Sequence, residues 1–173
     1  PHVASTKIVC LEHTQSRFSG TVMTPAETKA VSDVAHVAGV AVPLDRARIF
    51  NAAVALEVPV AELTRDVDDA SFCLSKSLSC PVGSVLVGSK DFISEARRWR
   101  KMVGGGMRQA GILAAAGLVA LDTMVDRLAE DHQNARRLAA GLANIDGLSV
   151  DADSIQTNIV IFDVDEKVAK VPD

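Results

Sequence analysis

The chain has 173 residues, of which 48% are hydrophobic and 23% charged, a composition typical of a globular protein. The formal net charge is −4, and this acidic balance argues against a nucleic-acid partner. No uninterrupted apolar run is long enough to cross a bilayer, so we expect no membrane association. The 3 cysteines form no CxxC pair, which is typical of a reducing compartment and predicts a cytoplasmic protein.

Strands and helices alternate along most of the chain. Short apolar runs predict strands over residues 7–11, 40–44, 72–74 and 83–88. Helical patterns lie over residues 24–38, 47–56, 59–65 and 91–101. This alternation predicts an α/β fold with a mainly parallel sheet and helices on both faces. Pro43 counts against a central position for the second strand, because proline has no backbone donor.

A long helical stretch runs from about residue 107 to residue 142. Residues 112–121 are apolar all round and are therefore expected to be buried, whereas the second half is amphipathic. Such a helix would extend roughly 50 Å, longer than one small domain needs. We therefore predict a partial large domain at residues 1–121, a bridging helix at 122–146, and the start of a small α+β domain at 147–173. The strands predicted there are 148–150 and 158–162.

Two candidate site residues follow predicted strands. Lys76 comes just after an apolar run that ends at Leu74, and Asp45 comes just after the previous strand. Open α/β sheets place their ligand crevices at these strand ends. A lysine at the mouth of an apolar core loses its proton more easily and can form a Schiff base with a carbonyl. The plainer alternatives are a solvent-exposed lysine and an aspartate that caps a turn.

Two arginines complete the candidate site. Arg108 follows three glycines at the start of a helix, where an arginine is disfavoured unless an anion lies nearby. Arg48 lies close to Asp45 and could grip a substrate carboxylate with its forked guanidinium. Together with Lys76, these residues suit pyridoxal phosphate. The lysine would form the Schiff base, the aspartate would pair with the pyridinium nitrogen, and cations would bind the phosphate.

The motifs around these residues resemble those of the low-specificity L-threonine aldolases, which are fold-type-I enzymes that depend on pyridoxal phosphate. The resemblance covers nearly the whole chain, and the triple glycine followed by methionine and arginine is its most specific part. The segments that carry it are Cys10-Leu11-Glu12, Leu44-Asp45, Ala47-Arg48, Phe50-Asn51-Ala52-Ala53, Phe72-Cys73-Leu74-Ser75-Lys76, residues 81–88, residues 98–102, Gly104-Gly105-Gly106-Met107-Arg108-Gln109 and Ala114-Ala115-Ala116-Gly117.

The resemblance implies a role for each candidate. Lys76 corresponds to the Schiff-base lysine, Asp45 to the partner of the pyridinium nitrogen, and Arg48 to the arginine that meets the substrate carboxylate. Arg108 corresponds to an arginine that reaches the cofactor phosphate of a neighbouring subunit, which implies a homodimer or homotetramer. The implied reaction is cleavage of L-threonine or allo-threonine to glycine and acetaldehyde. Other fold-type-I reactions, such as β-elimination or transamination, stay open.

The sequence departs from the family pattern in the site loops. Arg46 stands where the family has glycine, and Ser77 and Ser79 replace two glycines after the lysine. We also expect both ends to be cut, so that a ring-stacking histidine, the main phosphate loop and a second substrate arginine lie outside these residues. The alternative interpretation is therefore a truncated, degenerate aldolase domain that is poorly active or inactive by itself.

Several other residues receive structural interpretations. His132 and His36 are expected on helices, with His132 on a solvated face. Cys10 and Cys73 lie in apolar runs and are expected to be small core residues. No spacing of histidine, cysteine or aspartate indicates a metal site.

Overall fold

A computed structural model describes residues 4–45 and 47–169 of the chain. This part contains six strands and six α-helices. The strands are β1 (Leu11–Glu12), β2 (Pro43–Asp45), β3 (Asp69–Cys73), β4 (Ser84–Gly88), β5 (Leu148–Ser149) and β6 (Asp163–Val164). The helices are α1 (Pro25–Val37), α2 (Ile49–Leu56), α3 (Val60–Leu63), α4 (Lys90–Met102), α5 (Gly111–Thr123) and α6 (Leu128–Leu142).

The main sheet has four strands in the order β1-β2-β3-β4. The first three strands are parallel, and β4 runs antiparallel to β3. Residues 74–83 form a short loop that connects β3 to β4. This loop is shorter than the roughly dozen residues that a parallel crossover requires. The α/β fold with a mainly parallel sheet is thus confirmed. A separate antiparallel pair consists of β5 and β6.

β2 is a central strand, although it contains a proline. Pro43 is its first residue, a position where the missing N–H donor is tolerated. The preceding Val42 N–H donates instead to the carboxylate of Asp68 at 2.7 Å, and His36 lies 3.0 Å from the same oxygen. The Val42 hydrogen bond, with the nearby imidazole, holds the pKa of Asp68 below its usual range. Local side-chain bonds therefore secure the entry to the strand.

The first helix begins as its sequence predicts. Thr24 and Glu27 form a reciprocal capping box, with Pro25 at the first helical position. The Thr24 backbone N–H and hydroxyl donate to the Glu27 carboxylate at 2.7 and 2.8 Å, and these bonds lower the pKa of Glu27. Helix α1 therefore has a well-defined start.

The long helix predicted over residues 107–142 is two helices, so that prediction is wrong. α5 ends at Thr123 and α6 begins at Leu128, with a turn between them. The Thr123 hydroxyl donates to the carbonyl of Val119 at 2.8 Å, a bond that favours bending of a helix. No glycine or proline marks the break in the sequence. It places α6 against α2, an arrangement that one continuous helix would not provide.

The two helices also differ from expectation in burial. The apolar α5 is mostly exposed, and only Gly117 and Ala120 are buried in it. The amphipathic α6 buries four residues, namely Leu128, His132, Ala135 and Ala139. The expectation of a buried first half is therefore wrong for these residues. The division of the chain into domains at residues 121 and 146 stays a prediction.

Smaller differences concern strands and cysteines. The strand predicted over 158–162 is wrong, because the partner of β5 is Asp163–Val164. The strand predicted over 7–11 is reduced to Leu11–Glu12 and a single bridge between Ile8 and Ala41. Cys10 is exposed rather than a core residue, whereas Cys80 is buried. Among the described helices, none is long and apolar enough to cross a membrane.

Candidate active site

Three parallel strands end at one edge of the sheet. In the register of β1, β2 and β3, Glu12 lies beside Asp45, and Asp45 lies beside Ser71. The Ser71 hydroxyl donates to Asp45 Oδ1 at 3.1 Å, which fixes the carboxylate at the carboxyl end of the central strand. This is the edge where open α/β sheets bind ligands. Asp45 is the last residue of β2 and not the residue after it, and its role in a site stays a prediction. Arg46, the next residue, lies outside the described part of the chain.

Lys76 lies in the turn that follows β3. The Lys76 carbonyl accepts a hydrogen bond from Ser79 N at 2.8 Å, and Cys80 N donates to the Leu74 carbonyl at 3.0 Å. Leu78 and Cys80 are buried and pack with Leu74 and Ala120 of α5. The turn is therefore anchored by apolar side chains, while Lys76 itself is exposed. The burial expected for this lysine is not found. Its amine has no hydrogen-bonding or ionic partner in the described part of the chain.

Arg48 stands at the start of α2. Cys73 N donates to the carbonyl of Ala47 at 3.3 Å, so the end of β3 holds the entry to this helix. The Arg48 side chain does not cap the helix. Its Nε is buried and has no hydrogen-bond partner among the described residues. A buried donor without an acceptor is costly, so this atom favours a ligand with an anionic or carbonyl oxygen.

Arg48 and Lys76 line the same cavity, which has a volume of about 460 Å³. The sequence hypothesis that these two residues serve one site is consistent with this arrangement. The remaining walls come from residues 75–80, which we call the lysine turn, from the turn between α5 and α6, from the start of α6 and from the segment before β6. Their lining residues are Ser77, Ser79, Met124, Arg127, Leu128, Glu130, Asp131, Asn134 and Asn158.

Arg108 is not part of this cavity. It lies in the exposed segment between α4 and α5, and α5 begins only at Gly111. Arg108 is therefore not at the helix N-terminus that the sequence predicted. The structure brings Lys76 and Arg48 together and places Asp45 at the same sheet edge, but it does not bring Arg108 to them.

Two polar features were missed by sequence reasoning. Asn158 lines the cavity, and its Nδ2 donates to the Ser77 hydroxyl at 2.9 Å. The two residues are 81 positions apart, and no local pattern connects them. His132 is buried, not solvated, and its Nε2 accepts a hydrogen bond from Asn51 Nδ2 at 3.0 Å. Burial lowers the pKa of His132, with a smaller contribution of the same sign from Arg136 and an opposing one from Asp131.

A comparison with known protein families shows which family the chain resembles. The profile of the beta-eliminating lyases matches residues 1–165. Because that range covers most of the chain, the chain belongs to the beta-eliminating lyase family. No group of three or more potential metal ligands occurs in the described residues.

Individual relatives agree with this assignment. The low specificity L-threonine aldolase of Escherichia coli K12 is 48% identical over 141 residues, which are 82% of this chain and 41% of that protein. Low-specificity L-threonine aldolase 1 of Arabidopsis thaliana is 43% identical over 162 residues, which are 94% of this chain and 45% of the relative. The chain therefore spans less than half the length of these curated relatives.

A solved structure shows the shared fold. The threonine aldolase of Leishmania major superimposes with a TM-score of 0.66 at 18% sequence identity, covering 83% of this chain and 42% of that structure. The α/β architecture is therefore that of the threonine aldolases, as the motifs around Lys76 and Arg108 indicate.

Proposed function

We propose that this chain forms part of a pyridoxal phosphate-dependent lyase that cleaves L-threonine or allo-threonine to glycine and acetaldehyde. The observation that carries the proposal is one cavity lined by Lys76 and Arg48. Asp45 ends β2 and precedes Arg48 in the chain, but it does not itself line this cavity. The names of the bacterial and plant relatives support the same reaction. Since the chain spans less than half of those proteins, the activity is proposed for the whole protein.

The residues at this edge fit pyridoxal phosphate. Lys76 offers an amine without a competing partner among the described residues, as covalent attachment of an aldehyde requires. Asp45 offers a carboxylate fixed by Ser71, which suits a protonated ring nitrogen. Arg48 offers a buried Nε without an acceptor, which suits the carboxylate of an amino acid. When bound, the cofactor supplies a ring that accepts the electron pair released when the bond between Cα and Cβ breaks.

Each protein group then has a defined task. Lys76 would hold the cofactor through its amine. Arg48 would orient the substrate by binding its carboxylate. Asp45 would pair with the ring nitrogen through its negative charge. All three tasks require only side chains at one edge of the sheet.

Arg108 and the exposed face of α5 support a homodimer or homotetramer. Arg108 does not line the cavity of its own chain, which suits a phosphate contact to a neighbouring subunit. Ile112, Leu118 and Val119 on α5 are apolar and exposed, as expected of a surface that another part of the assembly covers. Sedimentation of the purified protein tests this, because a strictly monomeric species would contradict a shared site.

The proposed location is the cytoplasm. Cys10, Cys73 and Cys80 are all free, which suits a reducing compartment. The proposed ligands are small amino acids with a β-hydroxyl group, with no nucleic acid and no membrane as partner.

One observation favours the alternative of a degenerate, inactive domain. Ser79 has a φ of 61° in the lysine turn, where the family pattern has glycine. A serine in this left-handed region is strained, so the turn is held less favourably than with glycine. β-Elimination or transamination would use the same Lys76 and Asp45, and only the products distinguish these reactions.

Chemical trapping tests the proposal. The purified chain is incubated with pyridoxal phosphate, reduced with borohydride and digested, and the labelled peptide is mapped. We expect label on Lys76, loss of that label in Lys76→Ala, and normal labelling in Lys101→Ala, which removes an exposed lysine outside the cavity. Absence of label on Lys76 in the wild-type chain would contradict the cofactor assignment.

The reaction is tested on the whole protein. Release of acetaldehyde from L-threonine supports aldol cleavage, whereas release of ammonia indicates β-elimination. Arg48→Lys should raise KM for threonine more than it lowers kcat, because lysine keeps the charge but loses the forked geometry.

A further inference from the structure

Three consecutive side chains fasten one segment to two distant loops. Gln156 Oε1 accepts from Val22 N, the Thr157 hydroxyl donates to the Gly20 carbonyl, and Asn158 Nδ2 donates to the Ser77 hydroxyl, each at 2.9 Å. We call Gln156-Thr157-Asn158 the clamp segment. Its first two bonds reach the loop after β1, and the third reaches the turn that carries Lys76.

The clamp segment is held in place by the residues packed around it. Thr157 is fully buried, and Ile155 packs against Ala135 and Ala139 of α6. Gly20 has a φ of 68°, and a Cβ atom there would lie 2.6 Å from the Thr157 hydroxyl oxygen. The fit at Gly20 therefore leaves no room for the segment to shift towards it. Asn158 is thus held by its neighbours, independently of Ser77.

The lysine turn makes few side-chain hydrogen bonds to other described parts of the chain. Within the described residues, the bond from Asn158 is the one side-chain hydrogen bond that links Ser75–Cys80 to another part of the fold. Leu78 and Cys80 anchor the far side of the turn through apolar contacts. Ser77 directly follows Lys76, so the Asn158 bond acts on the residue next to the lysine. The family pattern has glycine at position 77, which has no hydroxyl to receive such a bond.

We propose that Asn158 is a positioning residue for Lys76, which it holds in place through the hydroxyl of Ser77. The inference rests on the proposed function, in which Lys76 attaches the cofactor. An exposed lysine samples many directions, and fixing the backbone beside it narrows the directions that its amine takes.

A double-mutant cycle tests the inference on the full chain. The variants are Asn158→Ala, Ser77→Ala and the double variant, with Ser77→Thr retaining the hydroxyl. The control is Gln156→Ala, which removes a clamp bond of the same length that does not reach the lysine turn. The first measurement is the pyridoxal phosphate concentration that gives half-maximal borohydride labelling of Lys76. The second is amide hydrogen exchange of residues 75–80 without cofactor.

We expect each alanine variant to raise the half-maximal concentration roughly fivefold, the value of one neutral hydrogen bond. The double variant should show no further rise, because both residues act through the same bond. Ser77→Thr and Gln156→Ala should stay within about twofold of the wild type. Additive effects, or wild-type labelling in Asn158→Ala, would overturn the inference.

The exchange measurement separates this inference from the proposed function. If wild-type Lys76 takes no label, the proposed function fails, and the exchange rates still decide the role of Asn158. Faster exchange confined to residues 75–80 in both alanine variants supports the link. Unchanged exchange in Asn158→Ala overturns it.

Discussion

Helices α5 and α6 are consecutive in the chain and have opposite relations to the rest of the fold. α5 is almost wholly apolar, yet Leu118 is 70% exposed and Ile112 75% exposed. α6 carries many charges, yet its Leu128 is only 2% exposed and its Ala139 is fully buried. The amphipathic helix packs on α2, while the apolar helix contacts the lysine turn along one narrow line.

The difference shows that an apolar composition indicates a helix whose surface has to be buried. It does not indicate which part of the molecule buries that surface. α6 has one apolar stripe, which α2 and the segment around Ile155 cover within this chain. α5 is apolar on every side, and the lysine turn covers only the side of Gly117 and Ala120. The remainder of α5 is the surface that the rest of the protein or a second copy is expected to cover.

The largest predicted effect compares one leucine from each helix. Leu128→Ala should lower the free energy of unfolding by about 2–5 kcal/mol, because it leaves a cavity beneath α6. Leu118→Ala should lower it by no more than about 0.5 kcal/mol, because this side chain is already in water. Urea unfolding of both variants at several protein concentrations measures the two losses.

Equal losses of unfolding free energy in Leu128→Ala and Leu118→Ala would contradict the difference in burial between α6 and α5. A loss in Leu118→Ala that grows with protein concentration would show instead that a second copy covers α5, since association stabilises the folded state by mass action.

An intermediate effect is expected at the contact between α2 and α6. Asn51→Leu removes the donor to His132 and leaves a buried ring nitrogen without that partner. We expect a loss of about 1–3 kcal/mol in the free energy of unfolding at pH 7.5, the cost of an unsatisfied buried polar group. Thermal or urea unfolding measures it. A loss below the experimental error would mean that this bond does not hold α6.

The same contact predicts a pH dependence. Burial lowers the pKa of His132 in the folded state, whereas the unfolded chain titrates near the ordinary histidine value of about 6.5. The unfolded state therefore binds a proton first, and the free energy of unfolding falls as the pH decreases below about 6.5 and continues to fall through the lowered folded pKa. His132→Gln keeps an acceptor and should flatten this dependence between pH 7.5 and 5. An unchanged slope would contradict the assignment.

The smallest effect concerns the lysine turn, which packs on α5 and lines one cavity with the start of α6. Ser79→Gly should raise the free energy of unfolding by about 0.5–1 kcal/mol, since glycine accepts the φ of 61° without strain but gains freedom when unfolded. Ser77→Gly is the matched control. It removes the bond from Asn158 at a position without positive φ, and should lower the free energy of unfolding by about 1 kcal/mol.

Sequence reasoning placed Lys76 and Asp45 near strand ends because the positions of strands along the chain follow from local pattern. Lys76 and Asp45 come after apolar runs, and parallel strands bring such residues to one edge. Arg48 is included in the candidate site because it lies close to Asp45 along the chain. Asn158 could not be found in this way, because its partner Ser77 is 81 residues away and no periodicity relates the two.

The burial of His132 is a second feature that the local sequence could not predict. Its neighbours Glu130 and Asp131 are acidic, so local composition predicts a solvated face. Only the packing of α6 on α2 turns His132 towards Asn51 and away from water. A helix has one buried face, and the partner helix selects it.

The sequence by itself determined the α/β class, the start of α1, the order of strands and helices, and the lysine turn as the centre of the candidate site. These features depend on residues close together in the chain, where propensity, capping and hydrophobic period act. The tertiary structure decided the break between α5 and α6, the exposure of the apolar α5 and the attachment of Ser77 to Asn158. These features depend on contacts between distant segments, and such contacts are set by how the elements pack against one another.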